Sequence, residues 1–343
     1  MKTHAPLPLV LLSILLGANL LAGEARNVVL IVTDDHGTEL GCYGHPVIQT
    51  PNLDRLASDG VVYSHAFATT ASCTASRSVI LSGLHNHRTG LFGHMHFPSS
   101  FRAYEGLKTL PMLLREGGYR TALMGKYHLA PEEVYPFERH LAVEARSDSS
   151  QSYVTANFGR STVQMAEACE SFIQSEDERP FFLYFCPSDP HRSNDAEKPN
   201  RFGNRDDGYP GVDPVIYDED DVVVPEYLPD TEACREELAQ YYQSVSRLDQ
   251  GVGRLIEILK QSGVYDETLI IYMSDHGPAF PGAKTTTYDP GLRSPLIVRH
   301  PEAANDGRRI DAMISWVDIT PTIMDFAQLP DPLRYRGIST VIW

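Results

Sequence analysis

NVVLIVTDDHG, Asn27 to Gly37, is the stretch from which the fold of this chain is read. Asn27 to Thr33 is a short run rich in β-branched residues, with none of the in/out alternation that marks a half-solvated strand. A continuous apolar run of that length fits a strand covered on both faces, as in a parallel sheet. It leads straight into Asp34 and Asp35. Two adjacent carboxylates at the end of a buried strand are either a solvated turn or the ligands of a cation that offsets their burial. If they are ligands, hard oxygen donors suit Ca2+ or Mg2+.

Working outward, the same grammar repeats. Pro51 to Gly60 reads as a helix with proline at its start and glycine after its end, and VVYSHAF as the strand after it. A helix runs to Gly117-Gly118, a strand continues through Met124, and Lys126 and His128 stand just beyond it. FFLYFC, Phe181 to Cys186, is a further central strand, followed by Asp189-Pro190-His191. Leu238, Tyr241, Tyr242, Val245, Leu248, Val252, Leu255 and Ile256 mark a long amphipathic helix over Thr231 to Ser262, closed by Gly263. Thr268 to Ser274 is a strand that delivers Asp275-His276-Gly277; SPLIVRH reads as a strand and DITPTIMDFAQL as a helix. Residues 192 to 230 are polar and aperiodic, and are expected to form a surface insertion near the site. Alternation of helix and strand points to a doubly wound α/β sheet. In such a sheet the carboxyl ends of the strands share one edge, where ligands bind, and Asp34, Asp35, Lys126, His128, Asp189, His191, Asp275 and His276 all fall there.

CTASR, Cys73 to Arg77, lies at the mouth of a helix beginning near Thr74. A thiol beside a cation and free backbone N–H groups is a candidate nucleophile; a small buried core thiol is the plainer alternative. Five cysteines without close spacing suggest neither a disulfide framework nor a zinc site, and Cys73 is expected to be unpaired. The 343 residues, 42% hydrophobic and 22% charged, fit one large globular α/β domain. A net charge of −16 argues against general nucleic-acid binding, so attraction for an anionic substrate must be local. Residues 1–24 have the lysine, apolar run and small residues of a secretory signal, too short for a convincing membrane span, which implies an exported protein.

CTASR with SVILSGLHNHRTG resembles the signature of the type I sulfatases, in which the motif cysteine becomes formylglycine. Asp34-Asp35, GKYH, Asp189-Pro190-His191 and SDHG match that family's order and approximate spacing. Longer stretches, GKYHLAPEEVYPF, RPFFLYFCPSDPHR, RLDQGVG and SDHGPAFPGAKT, resemble its heparan N-sulfatase branch. The resemblance implies an alkaline-phosphatase-like, mostly parallel doubly wound sheet with helices on both faces, spanning residues 25–343. Family members usually continue into a small antiparallel C-terminal domain, and this chain is expected to end at or before it.

By resemblance, Asp34, Asp35, Asp275 and His276 would hold one Ca2+, with modified Cys73 completing the shell. Arg77 and Lys126 would stabilise the aldehyde hydrate and developing charge, Lys284 would bind the sulfo group, His128 would accept a proton and His191 would protonate the leaving group. Ala75 stands where the family usually has proline, and His276 where many members have asparagine. The implied partners are a sulfated saccharide and a formylglycine-generating enzyme, with neither nucleic acid nor stable membrane insertion, and an oligomer is left open. The substrate expected is the N-sulfo group of glucosamine in heparan-type glycans. An O-sulfate ester, a phosphate or phosphonate monoester, or an unmodified glycan-binding protein are the alternatives.

Overall fold

The computed structural model describes residues 26–143, 159–193, 201–303 and 306–330, so the leader read over residues 1–24 lies outside them. Strands β1 (Asn27–Thr33), β2 (Val61–Phe67), β3 (Arg120–Gly125), β4 (Arg139–Leu141), β5 (Phe181–Cys186), β6 (Thr268–Ser274), β7 (Leu296–Arg299) and β8 (Arg309–Ser315) form one sheet. Its order is β4-β3-β5-β1-β6-β7-β2-β8. The strands from β4 to β6 are mutually parallel, β7 runs against both its neighbours, and β8 is parallel to β2.

β1 is the spine of this arrangement. Val28 lies opposite Phe182 of β5 and Leu269 of β6, and every residue of β1 is buried. Its side chains alternate between two cores. Val28, Leu30 and Val32 enter the core containing Val79, Leu113 and Ile323; Val29 and Ile31 enter the one containing Leu53, Met165, Val245 and Leu255. Each such side chain contributes roughly 1.5–3 kcal/mol by leaving water, which is why the run tolerates no polar interruption.

Helices α2 (Cys73–Ile80), α3 (Leu110–Glu116) and α6 (Ile319–Phe326) cover the first face. The second is covered by α1 (Pro51–Ser58), α4 (Thr162–Ala168) and α5 (Glu232–Gln261). α5 is capped by the Thr231 hydroxyl, which accepts from Cys234 N at 3.3 Å, and is followed by Gly263 in the left-handed region at φ +72°. RLDQGVG is its docking face. Asp249 Oδ1 accepts from Leu53 N (2.8 Å), while Oδ2 accepts from the backbone N (3.2 Å) and Nδ2 (2.8 Å) of Asn52, so Asp249 caps α1. A Cβ at Gly251 would sit 2.3 Å from Thr162 Cβ, and one at Gly253 2.4 Å from Asn52 Cγ. Only glycine lets α4 and α1 approach that closely.

The structure departs from the sequence reading in helix α4, which was not expected, in two strands and in the insertion. β4 and β8 were not expected: β4 has three residues, and β8 is an edge strand whose mostly exposed side chains show no apolar alternation. The insertion contains no helix or strand over 201–230, as expected, yet Phe202, Tyr209, Val222 and Leu228 are buried. Spaced apolar anchors therefore seat this polar segment on α5, and it is only partly a surface loop. All five cysteines are free, Cys73 among them.

Candidate active site

Four parallel strands, β1, β3, β5 and β6, end at the same edge, and the loops leaving them converge on the first turn of α2. All eight residues of α2 are buried. Its position is set from below: Ser76 Oγ and Trp316 Nε1 both donate to the Asp275 carbonyl, at 2.5 and 3.0 Å. Cys73 is thereby fixed over β1 and β6. Its Sγ lies 3.7 Å from Asp35 Oδ1 and 3.4 Å from His276 Nε2. Burial would push this thiol up, but the Lys126 ammonium overcomes that and holds it well below the usual range.

Asp34, Asp35 and Asp275 are all buried around it. Lys126 Nζ donates to Asp34 Oδ2 at 2.5 Å, and Lys284 Nζ donates to both Asp35 oxygens at 2.8 and 2.7 Å. Arg77 Nε donates to Asp275 Oδ2 at 3.1 Å and Nη2 to the Thr33 carbonyl at 3.2 Å. Burial raises the Asp34 carboxyl, yet Lys126, His191 and Arg77 outweigh it and hold it well below the ordinary value. For Asp275 burial wins, and its pKa rises to about 7.

Two features fit a divalent cation. Asp34 Oδ1 is buried, 3.6 Å from Arg77 Nη2, and accepts no hydrogen bond. The donor atoms of Asp34, Asp35, Cys73 and His191 lie within 4.8 Å of one another, as do those of Cys73, Asp275 and His276. Three carboxylates are a hard donor set suited to Ca2+. His276 Nδ1 lies 2.9 Å from the Gly277 carbonyl, a contact that fixes the ring with Nε2 toward Cys73 and Asp35, 3.3 Å from Asp35 Oδ1. This is the arrangement in which one ring nitrogen donates to a carbonyl and the other is free to ligate. Burial opposes charge on His276, but Asp275 and Cys73 raise its pKa to about 10; a bound cation would displace that proton.

The two remaining histidines sit differently. His191 Nδ1 lies 2.6 Å from the Arg192 carbonyl and Nε2 3.7 Å from Asp35 Oδ2. Burial disfavours its charged form, but Asp34 and Asp35 outweigh that and raise its pKa above the ordinary value. His128, at φ +53°, has its Nδ1 buried without a partner. Burial, reinforced by Lys126 and Arg77, lowers it to about 3, so it is neutral. Its neighbours are His94 and His96, whose rings stack on it.

Asp189 corrects the sequence reading. Although it comes after β5, its carboxylate is turned out of the pocket: Oδ1 accepts from Arg160 Nη1 (2.7 Å) and Arg247 Nη2 (2.9 Å), and Oδ2 from Arg247 Nε (2.7 Å). Arg160 Nη2 also donates to the His191 carbonyl at 2.7 Å, so this cluster braces His191 from behind. Sequence reasoning missed the roles of Arg160, Arg247, Ser76 and Trp316, whose partners are far away in sequence. His94-Met95-His96 is a local signal in the sequence for a further histidine cluster.

A family profile described as Sulfatase matches residues 26–329. The human N-sulphoglucosamine sulphohydrolase is 37% identical over 329 residues, covering 93% of this chain. The chain spans 64% of that relative's own length. Among solved structures, a 2-O GAG sulfatase superposes with a TM-score of 0.70 at 20% identity, over 92% of this chain and 73% of that one. The phosphonate monoester hydrolase of Agrobacterium radiobacter gives 0.66 at 21%, over 89% and 74%. These two show the fold alone, and the same fold carries two chemistries. The profile match, running from β1 through α6 and over every strand-end residue described above, shows that this chain belongs to the sulfatase family.

Proposed function

We propose that this protein hydrolyses sulfated sugars, and that its substrate is the N-sulfo group of glucosamine in heparan-type glycans. The observation that carries this reading is the convergence of Cys73 with three carboxylates and three cations at one sheet edge. The substrate class is taken from the activity that names the 37%-identical human relative. In this reading residues 1–24 direct export and residues 25–343 form the catalytic unit.

Cys73 is converted to formylglycine by a maturation enzyme, and water adds to the aldehyde to give a geminal diol. Asp34, Asp35, Asp275 and His276 would hold Ca2+, and the chemistry such an ion would supply is charge neutralisation and a lowered pKa for a hydroxyl at position 73. Arg77, Lys126 and Lys284 already balance the three carboxylates, so the pocket would be positive with a divalent ion bound, although the protein is acidic. Lys284 and Lys126 then bind the sulfo oxygens.

One diol oxygen attacks sulfur while the S–N bond breaks. His191, braced by Arg160, gives its proton to the departing nitrogen. Neutral His128 takes the proton of the remaining hydroxyl, the C–O bond to sulfate breaks, and the aldehyde returns. A serine at position 73 could not release sulfate by this route, because it has no second hydroxyl.

The test compares sulfate or phosphonate release from N-sulfoglucosamine, an O-sulfated glucosamine and a phosphonate monoester, beside the mass of the peptide bearing position 73. Faster release from the N-sulfo sugar by aldehyde-bearing protein is the expected result. Preference for the O-sulfate or phosphonate would move the substrate assignment, and an unmodified thiol with no hydrolysis would replace the enzyme by a glycan-binding protein.

A further inference from the structure

Beside the hydrolytic pocket is a second group of potential ligands that the proposed reaction does not require as a set. His94, His96 and His128 bring one ring nitrogen each to within 4.8 Å of the others. Their rings stack nearly in parallel: His94 and His96 are 4.8 Å apart at 15°, His96 and His128 5.4 Å at 7°, and His94 and His128 5.6 Å at 22°. Three imidazoles gathered at such spacing offer nitrogen donors of the kind histidine uses to ligate metals.

Two further observations point to a ligand. Nδ1 of His94 and Nδ1 of His128 are both buried and neither accepts nor donates a hydrogen bond, an unusual pair of orphans so close together. His96 Nδ1 lies 3.2 Å from the Phe97 carbonyl, a contact that leaves Nε2 with its lone pair available. The loop is also pinned. Phe101 N donates to the His94 carbonyl at 3.1 Å, Ser100 N to the His96 carbonyl at 3.0 Å, and Ala103 N to the Ala130 carbonyl at 2.8 Å, tying it to the segment that carries His128.

We propose that His94, His96 and His128 form a binding site for a single transition-metal ion of the Zn2+ class, separate from the carboxylate site beneath Cys73. Three imidazoles with a fourth position open to water are a donor set that suits zinc. Zn–N bonds of about 2.0–2.1 Å hold donor atoms no more than about 4 Å apart, so closure draws the rings together by about 1 Å. His96, the exposed member, supplies that movement. The carboxylate site selects a hard ion through oxygen donors, whereas this one offers nitrogen alone, so the two sort metals by chemistry. Occupancy ties up His128, and zinc therefore inhibits hydrolysis; that consequence rests on the hydrolytic reading, while the binding does not.

The experiment is equilibrium dialysis of the calcium-loaded full chain against Zn2+, with metal counted by elemental analysis, for wild type, His96→Ala, His96→Gln, the double variant His94→Ala/His96→Ala, and Cys73→Ala. Wild type and Cys73→Ala are expected to take up one zinc per chain, with either single His96 variant weakened about tenfold or more and the double variant empty. Co2+ in place of zinc should give visible ligand-field absorption that the double variant lacks. Melting curves report folding, and the exposure of His96 makes its two single variants safe readouts. Zinc retained by the double variant, zinc lost in Cys73→Ala, or no zinc bound by wild type would each overturn the proposal, whatever the outcome of the hydrolysis assays.

Discussion

Two buried ionic clusters lie at the same edge of the same sheet, and they are built in opposite ways. Around Asp189 both carboxylate oxygens are matched. Arg160 and Arg247 hold both carboxylate oxygens; Arg160 Nη1 and Arg247 Nη2 also donate to the Phe202 carbonyl, Arg160 Nη2 to the His191 carbonyl and Arg247 Nη1 to Asn204 Oδ1. Around Cys73 the matching is incomplete: Asp34 Oδ1 has no hydrogen bond, and Lys126 and Lys284 reach the carboxylates from the solvent side with 18% of each side chain exposed. The Asp189 cluster stabilises one geometry, and the Cys73 cluster keeps capacity for an incoming ion and anion. The contrast shows which buried charges serve the fold and which serve chemistry.

The largest expected effect comes from the incomplete cluster. Cys73→Ala removes the nucleophile precursor and should reduce sulfate release by about 10^4-fold or more, with the melting temperature nearly unchanged. Residual hydrolysis within tenfold of wild type would mean that position 73 is not the reacting group. Asp189→Ala should behave the other way round. It strands two buried guanidinium groups, an uncompensated charge worth about 3–5 kcal/mol of stability, read in urea denaturation. Sulfate release per folded molecule should fall far less than in Cys73→Ala. If Asp189→Ala melts with wild type, the division between the clusters fails.

The sheet was legible because apolar runs report it directly: β1, β5 and β6 begin and end at the residues expected. The edge residues were legible because a parallel sheet places strand ends together, and Asp34, Asp35, Asp275, His276, Lys126 and His191 do meet there. Asp189 misled for the same reason. Position after a strand fixes where a backbone goes, but the direction of its carboxylate is decided by Arg160 and Arg247, which are distant from it in sequence. The insertion misled through composition, since four buried apolar side chains in a polar segment leave the average polar. β8 was invisible because an edge strand with exposed side chains needs no apolar pattern.

Asp249 separates the two properties that Asp189 combines. Its oxygens accept from Leu53 N, Asn52 N and Asn52 Nδ2, so it is fully bonded, but no cation stands beside it in that set of partners. Burial is the main cause that raises its pKa to about 6, against the pull of those N–H groups. The folded chain therefore keeps the Asp249 proton where the unfolded chain, with a carboxyl near about 3.9, has lost it. Its stabilising contribution is complete below the unfolded value and is lost as pH rises through the folded one, the loss reaching roughly 2–3 kcal/mol by pH 7. Asp249→Asn removes the titration while its amide oxygen can still cap Leu53 N. Urea denaturation of wild type and Asp249→Asn between pH 4 and 7 should show the variant gaining on wild type by that amount. A difference that stays flat with pH would show that hydrogen bonds alone hold a buried carboxylate here as well as the paired arginines hold Asp189.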